Sequence, residues 1–77
     1  MTNDEREAFP HRYRPLLRPA AFGGIPKSLG EWVYVEMPPD IAHMRPDVPP
    51  SRHRHGVVAF RRPLTDDERR RFDLEPA

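Results

Sequence analysis

The chain has 77 residues, a mass of 9.0 kDa and a formal net charge of +1, which allow one domain, 1–77, and no commitment to nucleic acid through bulk charge. Its eleven prolines exclude a helical bundle or coiled coil, because each removes an amide donor and fixes φ. The absence of cysteine excludes a disulfide framework, a thiolate metal site and a cysteine nucleophile.

The opening residues include Asp4, Glu5 and Glu7, the opposite of a signal peptide. No apolar run approaches the ~18 residues of a membrane span, so a cytoplasmic protein with no membrane partner is expected. Residues 1–8 read as a flexible tail. Residues 9–27 are broken by Pro10, Pro15, Pro19, Pro26 and the Gly23–Gly24 turn and cannot hold a long helix. They carry Phe9, Tyr13, Leu16, Leu17, Phe22 and Ile25, so this proline-rich arm should lie along the protein's own sheet or a partner. Ser28, Leu29 and Gly30 allow a single turn before the next element.

Residues 31–37, Glu-Trp-Val-Tyr-Val-Glu-Met, form a β-branched and aromatic run stopped by Pro38 and Pro39 and are predicted to be a strand. Residues 55–61, His-Gly-Val-Val-Ala-Phe-Arg, predict a second strand, antiparallel to the first. The connection between them is far too long for a tight hairpin, and its residues 40–45 fit about one helical turn ended by Pro46. Thr65 and Glu68 spell a capping box, which starts a short helix over 66–72 with Asp66 and Asp67 at its positive end and Arg69, Arg70 and Arg71 toward its negative end. The expected fold is α+β: a small antiparallel sheet of two or three strands, one short C-terminal helix and the proline-rich N-terminal arm.

Alternation makes both faces of the two strands apolar. Trp32 and Tyr34 share one face of the first strand, and Val33, Val35 and Met37 share the other. In the second, Val57 and Ala59 oppose Val58 and Phe60. A half-solvated sheet shows apolar residues on one side only, so both faces here need cover. The helix, with Phe72 and Leu74, supplies part of it; the arm, a second copy in a homodimer or a foreign partner supplies the rest.

Few residues offer chemistry. His53 and His55, on one side of a strand beginning near Arg52, together with His43 or Asp47, have the donor types of a three-ligand zinc site. The interleaved Arg52 and Arg54 oppose a dication, so no metal is expected. Ser28 and Ser51 lie in no glycine-flanked elbow, and no phosphate loop or dinucleotide fingerprint is present. The chain is therefore expected to be neither an enzyme nor a cofactor binder.

Charge falls in blocks. Residues 1–10 carry −2, 11–27 carry +4, 28–50 carry −3, 51–63 carry +4 and 64–77 carry −2. Either the blocks pair internally, or the two basic segments converge into one patch that meets an acidic partner. Arg12, Tyr13, Arg14, Trp32, Tyr34, Arg52, His53 and Arg54 are the expected contact residues, since aromatic and Arg side chains combine large area with directional polar contacts. The same arginines, with Tyr13 stacking on a base, also fit direct binding of nucleic acid.

Residues 45–58, Arg-Pro-Asp-Val-Pro-Pro-Ser-Arg-His-Arg-His-Gly-Val-Val, followed by Arg62-Pro63-Leu64-Thr65 and Phe72-Asp73-Leu74, resemble small uncharacterised proteins carried by phages and plasmids of GC-rich bacteria. Such proteins are often accessory factors that bind and disable a host complex, anti-CRISPR and antirestriction proteins among them. The resemblance implies a non-catalytic inhibitor docking on a host protein, ribonucleoprotein or DNA complex. A small nucleic-acid-binding or regulatory protein is the alternative.

Overall fold

The computed structural model describes residues 7–20 and 25–77. The flexible tail expected at 1–8 falls largely outside them, as do the Gly23–Gly24 turn and Phe22. Among the described residues, four strands form one open antiparallel sheet: β1 His11–Pro15, β2 Trp32–Glu36, β3 Val57–Phe60 and β4 Leu74–Pro76, in the order β2-β3-β1-β4. An α-helix, α1, spans Asp66–Arg71. The α+β class holds, with four strands in place of two or three.

The predicted pair β2 and β3 forms with Trp32 opposite Phe60, Val33 opposite Ala59 and Tyr34 opposite Val58. A bulge then sets Glu36 opposite Val57. Two strands are unexpected, the three-residue β4 and β1, which is cut from the first half of the proline-rich arm. Strand β1 pairs with β3 on one side and β4 on the other, and its prolines are tolerated because Pro10 precedes the strand and Pro15 closes it. This stretch is therefore interior sheet and no arm. The C-terminal residues complete the ladder, with the Leu16 amide donating to the Asp73 carbonyl at 2.9 Å and the Ala77 amide to the Arg12 carbonyl at 3.1 Å.

Each sheet face carries its own core, as the alternation requires. On one face Tyr13, Val58, Phe60 and Leu74 pack with Leu29, Ala20 and Leu64, and Trp32, Tyr34, Ile25 and Phe72 flank them. Tyr13 meets Phe60 edge-on at 5.7 Å, and Trp32 meets Tyr34 edge-on at 5.1 Å. The opposite face gathers Val35, Val57 and Ala59 under Phe9, with Ala8 and Val33 alongside. Arg61 stacks its guanidinium 4.6 Å from the Phe9 ring centroid. Residues of the arm thus reach both faces: Ala20 and Ile25 one, Phe9 the other.

The helix forms as its cap dictates. The Glu68 amide donates to the Thr65 hydroxyl at 3.1 Å, and the Thr65 amide donates back to the Glu68 carboxylate at 3.0 Å. No residue within Asp66–Arg71 is buried; the apolar anchors are Leu64 before it and Phe72 after it. Leu74 belongs to β4 and not to the helix.

The long connector is folded against the end of β2. Residues Pro39–Met44 form the expected helical turn as a 3-10 segment with a kink at Ile41. The chain then returns beside Met37, whose amide donates to the Pro49 carbonyl and whose carbonyl accepts from the Ser51 amide, both at 2.8 Å. Gly56 ends the connector at φ +77, where a Cβ would sit 2.6 Å from the Glu36 carbonyl oxygen. That constraint delays β3 to Val57, two residues later than expected, so residues 52–55 are a bend and turn rather than strand.

Candidate functional site

Two basic segments far apart in the sequence meet beside β1. Period-2 alternation sets Arg12 and Arg14 on the side of β1 opposite the buried Tyr13. The Arg14 guanidinium donates to Nδ1 of His53 at 3.3 Å and to the Glu75 carboxylate at 2.5 Å. A guanidinium only donates, so Nδ1 of His53 is the acceptor in this contact. Arg52 and Arg54 flank His53 in the chain and are both exposed.

A polar chain anchors this cluster. The Ser51 hydroxyl, on a buried residue, donates to the Glu36 carboxylate at 2.8 Å and accepts the His53 amide at 3.0 Å. Glu36, Ser51, His53, Arg14 and Glu75 thereby link β2, the connector, β1 and β4. The His53 ring is turned to Arg14 and not to the Ser51 hydroxyl, so the imidazole does not activate the serine. What the arrangement does is fix the course of the connector, and with it the positions of Arg52 and Arg54.

Five carboxylates among the described residues are committed elsewhere. Arg62 forks onto Glu68 at 2.7 and 2.8 Å, Arg69 pairs with Asp66, and Arg70 lies 3.3 Å from Asp67. The Arg62 guanidinium and the cap amide of Thr65 hold the Glu68 carboxyl at about 2, well below its ordinary 4.5, and Arg69 lowers Asp66. In the connector, Arg45 forks onto Asp47 and holds that carboxyl at about 2. Arg61 reaches Glu31 at 2.8 Å. Among the described residues, Arg12, Arg18, Arg52, Arg54 and Arg71 have no carboxylate partner. Of these five, Arg52 and Arg54 flank His53 in the chain and Arg12 shares its face of β1 with Arg14.

The structure separates the remaining expected contact residues from this cluster. Tyr13 is 7% exposed, and its hydroxyl accepts the buried Leu64 amide at 2.9 Å, so it is a core side chain and no exposed aromatic. Trp32 and Tyr34 are half-buried beside that same core, on the sheet face opposite Arg12 and Arg14. Arg14 meets His53, and the aromatics do not join them. Nor do the histidines gather as a strand at Arg52 would have placed them. His43 is exposed on the 3-10 turn, His53 faces Arg14, and no group of three His, Asp or Glu suited to a metal occurs among the described residues. Sequence reading missed Ser51 and Glu36, which look like an isolated hydroxyl and a strand-end carboxylate until the connector folds back on Met37.

No helix among the described residues is long and apolar enough to cross a membrane. Compared with family models, curated proteins and solved structures, the chain matches none.

Proposed function

We propose that the chain is a non-catalytic binding module that docks through Arg12, Arg14, Arg52 and Arg54, steadied by His53, on an acidic face of a host protein or protein–nucleic-acid complex. The Arg14–His53 bond carries this reading, since it joins two basic segments 39 residues apart while the acids of the helix start, Asp66, Asp67 and Glu68, are tied up in pairs of their own. The guanidinium groups of Arg12, Arg52 and Arg54, without carboxylate partners among the described residues, favour bidentate contact with a partner's carboxylates. The role that the resemblance of residues 45–74 lends to such a module is that of a cytoplasmic inhibitor borne by a mobile element, of the anti-CRISPR or antirestriction type, working without a cofactor.

Direct binding of nucleic acid is less well supported, because the base-stacking residue it needs, Tyr13, is enclosed in the core. Fluorescence anisotropy with labelled DNA and RNA across a salt series separates the two. No binding to either, with capture of a host protein that Arg52→Glu plus Arg54→Glu abolishes, supports the module. Tight binding to bare nucleic acid that weakens steeply with salt overturns it.

A further inference from the structure

Immediately after β1, Leu16 and Leu17 sit side by side with 44% and 67% of their surface exposed. Folding normally hides such side chains, and these are not on a loose loop. The Leu16 amide is bonded to the Asp73 carbonyl, and Pro15 is in register with Leu74. The two leucines project between two open clefts. One, of about 220 Å³, is lined by Leu17, Arg18, Pro15, Arg71 and Phe72; the other, of about 260 Å³, by Leu16, Arg69, Arg70 and Leu74. Arg69 and Arg70 are neutralised by Asp66 and Asp67, whereas Arg18 and Arg71 have no carboxylate partner among the described residues.

We propose that the Leu16–Leu17 ridge is a second docking surface, separate from the arginine cluster around His53, and that it takes an acidic amphipathic segment of a partner protein. Apolar side chains of that segment seat over the two leucines and the Phe72 edge, and its carboxylates reach Arg18 and Arg71. Charge selects this occupant. A second copy would bring the same excess, Arg18 and Arg71 over Asp73, against the ridge, so like charge would face like. A uniformly anionic lipid surface would press against Asp73, which lines both clefts, and against Glu75 beside it. A peptide can set carboxylates against the two arginines while sparing Asp73.

The test uses isotope-labelled full-length protein and synthetic amphipathic peptides with Leu and Phe on one helical face and Glu or Asp beside it. Their counterparts carry Lys in place of each acid. The acidic peptides should shift the amide resonances of residues 16–18 and 71–73. Leu16→Ser plus Leu17→Ser should weaken binding at least tenfold, as should Arg18→Glu plus Arg71→Glu, with melting temperatures near wild type because these side chains are exposed. Arg52→Glu plus Arg54→Glu should leave peptide affinity unchanged, so this surface and the proposed function stand or fall separately. The proposal is overturned by failure of the acidic peptides to bind at millimolar concentration, by equal binding of the Lys peptides, or by shifts confined to other residues. Equal or tighter binding to phosphatidylserine vesicles, or self-association that the Leu variants abolish, overturns it too.

Discussion

Replacing Tyr13 by Phe separates a core role for this residue from a contact role. The ring packs edge-on against Phe60, and Phe keeps that contact. Only the hydroxyl is removed, and with it the acceptor for the buried Leu64 amide at 2.9 Å. A buried amide left without a partner costs about 1–3 kcal/mol. In a domain of this size each kcal/mol lowers the melting temperature by about 4–8 °C, so a drop of at least about 4 °C is expected. Tyr13→Ala adds loss of the ring and should cost about 3–5 kcal/mol. Urea melts of the three proteins, fitted with a common m-value, measure both differences. A Tyr13→Phe variant as stable as wild type would refute the account of the core. If it also lost partner binding, Tyr13 would be a contact residue after all.

Gly56→Ala should destabilise by more than about 2 kcal/mol in a urea melt, because φ +77 is left-handed and the new methyl meets the Glu36 carbonyl. Asp73 also has a positive φ, 54°, so Asp73→Gly should raise stability by up to about 1 kcal/mol while Asp73→Val lowers it. Thr65→Ala should cost about 1 kcal/mol through loss of the cap, read by thermal melts. Glu68 supplies the pH dependence. Its carboxyl lies at about 2 in the folded chain against an ordinary 4.5, so its contribution is complete above about 4.5 and is lost as pH falls toward 2. Melting temperatures recorded from neutral pH down to 2 should therefore fall less steeply for Glu68→Gln than for wild type over that window.

What the sequence reveals depends on how local the cause is. The capping box works within four residues, and α1 starts where Thr65 and Glu68 place it. Strands β2 and β3 show in their β-branched and aromatic runs. Strand β1 does not, because His, two Arg and a terminal Pro carry little strand preference; its pairing with β3 and β4 confers the conformation. The three residues of β4 are too short to signal anything alone. Once β1 is a strand, period-2 alternation requires Tyr13 to oppose Arg12 and Arg14, so a mixed aromatic and arginine surface cannot form there. The meeting of Arg14 with His53 was visible only as two +4 blocks, since the fold-back of the connector that brings it about rests on backbone bonds at Met37.

The central claim is that the arginine cluster around His53 meets the partner and the acidic helix start does not. It is tested most directly by capturing host proteins from the lysate of a GC-rich bacterium with tagged wild type, Arg52→Glu plus Arg54→Glu, and Asp66→Lys plus Asp67→Lys, each checked by circular dichroism. The account predicts that one protein, identified by mass spectrometry, is retained by wild type, is lost by the arginine variant with its fold intact, and is kept by the folded fraction of the aspartate variant. Retention by the arginine variant together with loss by the aspartate variant would contradict the account and make the N-terminal turn of α1 the interface.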